Sequence, residues 1–86
     1  MTISEEVLNS IKTTALNAAD SSVLTWEGIN KSSWTDYVAA NSSNGELNST
    51  VTYQTEGNWI NARENVYSES YKTAYDTAYN EAVGDS

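Results

Sequence analysis

Hydrophobic positions recur at helical spacing at both ends of this chain and lose that spacing in between. Near the start, Ile3, Val7, Ile11, Ala15 and Ala18 fall on one helical face, and Leu8 and Ala19 widen it. The pattern predicts a helix over about residues 3–19. Thr2-Ile3-Ser4-Glu5 reads as a capping box, and Ser4 is a second cap candidate. Glu5 and Glu6 then sit in the first turn, where the helix dipole favours negative charge. Asp20-Ser21-Ser22 has turn chemistry, so the helix is expected to stop near Ala19. Leu16 falls off the main stripe and is free to reach a neighbouring segment.

The middle of the chain is mixed. Residues 23–32 read two ways: Val23-Leu24-Thr25-Trp26 fits a short strand turned at Glu27-Gly28, or a loose helical turn after a Ser cap. Ser33-Trp34-Thr35-Asp36 is another capping pattern, with Trp34, Tyr37, Val38 and Ala40 on one side, and it predicts a short helix over 33–40. Asn41-Ser42-Ser43-Asn44-Gly45 stops that helix, with Asn-Gly as a strong turn signal. From 47 to 55, Leu47, Ser49, Val51, Tyr53 and Thr55 alternate in a stretch rich in β-branched residues, the pattern of a strand. Leu47 and Val51 also lie four apart, which keeps a helical alternative open. Were 23–26 and 49–55 both strands, they would pair as a ribbon that must lie on the helices to be stable.

The last third carries tyrosines at a strict four-residue step: Tyr67, Tyr71, Tyr75 and Tyr79. Three steps read Tyr-x-x-Ala, ending at Ala74, Ala78 and Ala82. Residues four apart are neighbours on a helix, so the segment predicts a long helix over about 58–83, about 39 Å at 1.5 Å per residue. Asn58 or Asn61 can start it and Gly84 can end it. On a helical wheel Ile60, Tyr67, Tyr71, Ala74, Ala78 and Ala82 cluster. Tyr75 lies at the edge and Tyr79 further round, because four residues overshoot a turn by about 40°. Tyr67 and Tyr71 are therefore expected in the core with Trp26, Trp34 and Trp59 as anchors. Tyr75 and Tyr79 are the candidates for an exposed interface. The fold class that follows is mostly α: one small domain over 1–86 with a long C-terminal helix, room for a short two-stranded β ribbon, and α+β as the alternative.

Composition narrows the function classes. The 86 residues hold no Cys and no His, which removes disulfides, thiolate metal sites and the commonest general base. No Ser-x-x-Lys pattern and no Gly-rich phosphate loop occurs. The acids are spread along the chain rather than paired, and no Asp-x-Asp-x-Asp-Gly calcium pattern exists. No catalytic residue, cofactor or metal site is expected, and the chain reads as a non-enzyme. Net charge is −8, twelve acids against four bases. That balance opposes direct contact with nucleic acid or anionic membranes and favours a basic protein or nucleoprotein complex as partner. The first residues lack a basic, apolar signal segment, so a cytoplasmic setting within a host cell is the expectation.

Carboxylates on a rigid helix can present charge as a nucleic-acid backbone does. Glu69 and Asp76 share one helix face about 10 Å apart, and Glu64 and Glu81 flank them. The candidate partner-binding residues are thus Glu64, Glu69, Asp76, Glu81, Tyr75 and Tyr79. In character the chain resembles the small acidic anti-defence inhibitors made by phages, such as anti-CRISPR and anti-restriction proteins. No shared motif carries the likeness, so it assigns no residue a role. The expected function is inhibition of a basic, nucleic-acid-handling partner by mimicry of DNA charge. The alternative is a structural or self-assembling accessory or virion subunit whose Tyr-Ala face pairs with its own copy, a homodimer being the smallest case.

Overall fold

The computed structural model describes residues 3–84 and is mostly α-helical. Helix α1 (Glu5–Asn30) and helix α3 (Glu56–Gly84) form an antiparallel pair. Between them lie helix α2 (Trp34–Ala40), a two-stranded antiparallel ribbon of β1 (Ser42–Ser43) and β2 (Glu46–Leu47), and an irregular stretch to Thr55. The molecule measures 61 × 16 × 16 Å. Its radius of gyration is 17.8 Å, against about 12 Å for a compact chain of this length.

Helix α1 begins as its sequence suggests: Ser4 Oγ accepts the Val7 N–H at 3.2 Å. Thr2 lies outside the described residues. The helix does not stop near Ala19 but runs eleven residues further, to Asn30. Asp and Ser disfavour helix by only a few tenths of a kcal/mol each, and no Pro intervenes. Tertiary contacts outweigh that preference. Ser22 bonds Ser70 across the interface and Trp26 packs on Trp59. Residues 23–30 are therefore helical, and the strand alternative for 23–26 is overturned.

Of the strand expected over 47–55, only Leu47 is in a strand, at the end of β2. With 23–26 held in helix, that segment has no neighbour to pair with, and a lone strand leaves its backbone polar groups unpaired. It folds instead as a knot of local bonds. Gln54 Nε2 donates to the carbonyls of Asn48 and Val51 at 3.1 and 2.8 Å, and Val51 N–H reaches Asn48 O at 3.4 Å. The ribbon that does form lies earlier, around Asn44-Gly45. Both turn residues have positive φ, 55° and 81°, as a type I′ hairpin turn requires.

Helix α2 is capped by Ser33, whose hydroxyl accepts the Asp36 N–H at 3.1 Å. Helix α3 starts at Glu56, two residues before the expected Asn58. Thr55 is its cap: Thr55 Oγ1 accepts the Asn58 N–H at 3.1 Å, and Gly57 is absorbed into the first turn.

Between α1 and α2 the chain reverses at Lys31, with φ 70° and ψ 164°. That region is open essentially to glycine alone and costs a side-chain-bearing residue about 1–3 kcal/mol. Lys31→Gly is expected to raise stability by about 1 kcal/mol in urea unfolding followed by circular dichroism. An unchanged or lower midpoint would show that Lys31 is not strained.

Few side chains are buried. Among the described residues they are Ile11, Ala15, Ala19, Tyr37 and Trp59. At the loop end of the rod an aromatic cluster joins the elements: Trp26 meets Tyr53 and Trp59, and Tyr37 meets Tyr53 and Trp34, with ring centroids 5.4–5.9 Å apart. Of the three expected Trp anchors only Trp59 is buried; Trp26 and Trp34 are half-buried at the edge of the cluster. The Trp59 indole N–H donates to the Asn30 carbonyl at 2.9 Å, satisfying a helix-end acceptor of α1. Tyr37 Oη accepts the Tyr53 N–H at 3.2 Å and pins the loop.

Candidate functional site

The surface follows from how α1 and α3 are registered. Arg63 Nη1 lies 3.6 Å from Glu27 Oε2. Ser70 Oγ lies 2.7 Å from Ser22 Oγ and 3.1 Å from the Ala18 carbonyl. A hydroxyl has one proton. Ser70 gives its proton to Ala18 O, so Ser22 must be the donor to Ser70. This directional pair fixes the register at mid-rod. Farther on, Val7 and Ile11 line a groove with Ala78 and Ala82.

The same register sets Tyr67, Tyr71 and Tyr75 of α3 across from Val23, Ala19 and Ala15 of α1. Large rings on one helix thus lie opposite alanines on the other, which accounts for Ala15 and Ala19 having no exposed surface. The four tyrosines form a ladder along α3, with successive centroids 6.3, 6.1 and 6.2 Å apart and planes within 14–19° of parallel. Tyr67, Tyr71 and Tyr75 are half-buried and Tyr79 is 40% exposed. Tyr79 is exposed as expected, whereas Tyr67 and Tyr71, expected in the core, and Tyr75, expected exposed, are alike half-buried. Two helices cover an interfacial ring on one side only, so Tyr67 and Tyr71 do not reach a core, and Tyr75 resembles them rather than Tyr79. At the loop end the same four-residue row continues as Arg63 and Trp59, with the guanidinium carbon 4.9 Å from the Trp59 ring centroid.

The opposite side of the rod is built of small residues. One shallow groove is lined by Ser22, Val66, Glu69, Ser70, Thr73 and Ala74. The other, toward the open end, is lined by Ser10, Thr14 and Glu81 besides the four residues named above.

The six candidate residues therefore do not form one patch. Glu69 and Glu81 edge the small-residue grooves. Tyr75 and Tyr79 belong to the ladder on the other side. Glu64 lies in the next row outward from the tyrosines, while Asp76, seven residues from Glu69, shares that residue's helix face. All four carboxylates are exposed. Among the described residues the ion pair is Arg63–Glu27, which involves none of these four acids; Lys72, one turn from both Glu69 and Asp76, offsets part of their charge.

The grooves were not foreseen from the sequence, and Leu16, expected free to reach a neighbouring segment, is instead 43% exposed. The signal was present: Ser10, Thr14, Ala18 and Ser22 follow one another at four-residue steps on α1, opposite Ser70, Ala74, Ala78 and Ala82 on α3. Among the described residues no helix is long and apolar enough to cross a membrane. Among them, too, no cluster of three acids gathers that could hold a metal ion. Comparison of the chain with protein-family models, with curated proteins and with solved structures finds no match.

Proposed function

We propose that this protein is a non-enzymatic, acidic binding protein that occupies the basic surface of a partner that handles nucleic acid. The observation that carries the reading is the set of exposed carboxylates on α3. Glu64, Glu69, Asp76 and Glu81 are all exposed, on one uninterrupted helix of 29 residues. From Glu64 to Glu81 they span about 26 Å at 1.5 Å per residue. That is far sparser than the one charge per about 1.7 Å of duplex DNA. The chain would therefore fill a basic cleft as a rod about 16 Å across, meeting a few cationic side chains rather than imitating every phosphate. Inhibition in the manner of phage anti-defence proteins is the specific form of this reading. A cytoplasmic setting in a host cell goes with it.

The test is capture of partners from bacterial lysate by the tagged protein, with stepwise salt elution and mass spectrometry, beside the Glu69→Arg/Asp76→Arg variant. Both positions are exposed, so the fold should change by no more than about 0.5 kcal/mol. A basic nuclease or DNA-binding complex should be retained by the natural protein, released at moderate salt, and lost with the variant. Retention of the same partner by the variant would refute the carboxylate contact.

A self-assembling accessory subunit is the second reading, favoured by the shape. The chain exposes 5856 Å², about 850 Å² more than a compact protein of this mass.

A further inference from the structure

We propose that two copies of this chain pair through the tyrosine-ladder face in an antiparallel, two-fold symmetric dimer. Leu16 lies off the α1–α3 seam on the ladder side. It belongs to a four-residue row that reads Lys12, Leu16, Asp20. Lys12 and Asp20 are exposed, and among the described residues neither has an ion-pair partner. They stand one helical turn to either side of Leu16, with opposite charge. A two-fold axis across the rod at Leu16 lays α1 antiparallel on its copy. Leu16 then meets Leu16, and Lys12 of each copy meets Asp20 of the other, twice over. That self-complementarity is what an isologous interface demands. The same axis sets α3 on its copy, so the ladders of Tyr67, Tyr71, Tyr75 and Tyr79 cover one another.

The rod has surface to spare: it exposes about 850 Å² more than a compact protein of its mass, and a standard stable interface takes about 800 Å² from each partner. Tyrosine is also a preferred residue at the centre of such interfaces. A basic protein is the rival occupant, and charge separates the two. A copy brings a further −8 of net charge, so added salt screens repulsion and should leave the dimer intact or tighten it. Binding of a basic partner weakens with salt. The grooves edged by Glu69 and Glu81 stay open in the dimer, so the proposal holds whether or not the carboxylate reading does.

The test is sedimentation equilibrium of the natural chain and its variants, with helicity followed by circular dichroism. The natural chain should sediment at twice its 9.4 kDa, and no less so at 0.5 M salt. Leu16→Glu should sediment as a monomer with unchanged helicity. Lys12→Asp and Asp20→Lys should each weaken association about tenfold, since each sets like charges opposite one another twice. The double swap Lys12→Asp/Asp20→Lys should restore it, because the pairs re-form reversed. A natural chain that is monomeric at 100 µM would overturn the proposal. So would a dimer that Leu16→Glu leaves intact, or single swaps that the double swap does not rescue.

Discussion

Replacing Trp59 with alanine is expected to cost about 3–5 kcal/mol, enough to leave most of the chain unfolded at room temperature. Three supports go at once. The ring is 3% exposed and packs on Trp26. Its N–H holds the last carbonyl of α1. Its face carries the Arg63 guanidinium. A small chain has little to spare, since domains of this size are stable by only a few kcal/mol. Trp59→Phe keeps a ring but strands the Asn30 acceptor, and should cost less, about 1–3 kcal/mol. Urea unfolding followed by far-ultraviolet circular dichroism reads both. A loss under 1 kcal/mol for the alanine variant would mean that the aromatic cluster does not hold the helices together.

The second large effect comes from adding atoms rather than removing them. Ala19 has no exposed surface and lies opposite Tyr71 in the register set by Ser22 and Ser70. Ala19→Leu has nowhere to place its branch without pushing α3 away. Overpacking of this kind costs about 1–3 kcal/mol. Here it should also separate Ser22 from Ser70, leaving a hydroxyl without its partner. Asn17→Ala, two residues away and exposed, should shift stability by no more than about 0.5 kcal/mol. Thermal melts of the two variants decide the point. Equal melting temperatures would show that Ala19 is not at a tight contact.

The long helices were legible because their signals agreed with one another. Around Ser4, Glu5 and the Ile-Val-Ala stripe, cap, dipole and apolar face all pointed the same way. Ser33 was likewise confirmed as a cap, and the turn at Asn44-Gly45 has the backbone its sequence predicted. What misled was local chemistry without a tertiary vote. Asp20-Ser21-Ser22 looks like a turn in isolation, yet Ser22 turns its hydroxyl inward to Ser70 and the helix passes through. Val51 and Tyr53 look like strand, but a strand exists only beside another, and the segment meant to pair with them had become helix. The carboxylates of the candidate site were legible as exposed. Their division between two sides of the rod was not, because that depends on the α1–α3 register, which the Arg63–Glu27 and Ser22–Ser70 contacts set across 36 and 48 residues of chain.

The aromatic cluster binds only one end of the rod, and the chain enters and leaves at the other. Val7 and Ala82 sit together at the open end, while Trp26 and Trp59 close the far one. A tension applied through the two ends of the described chain would therefore load the α1–α3 contacts one turn after another. The small residues near Ala78 and Ala82 would part first and the ring cluster last. Mechanically the molecule is a zipper with its stop at the loop end, soft to peeling even where it would be stiff to sliding along its own length.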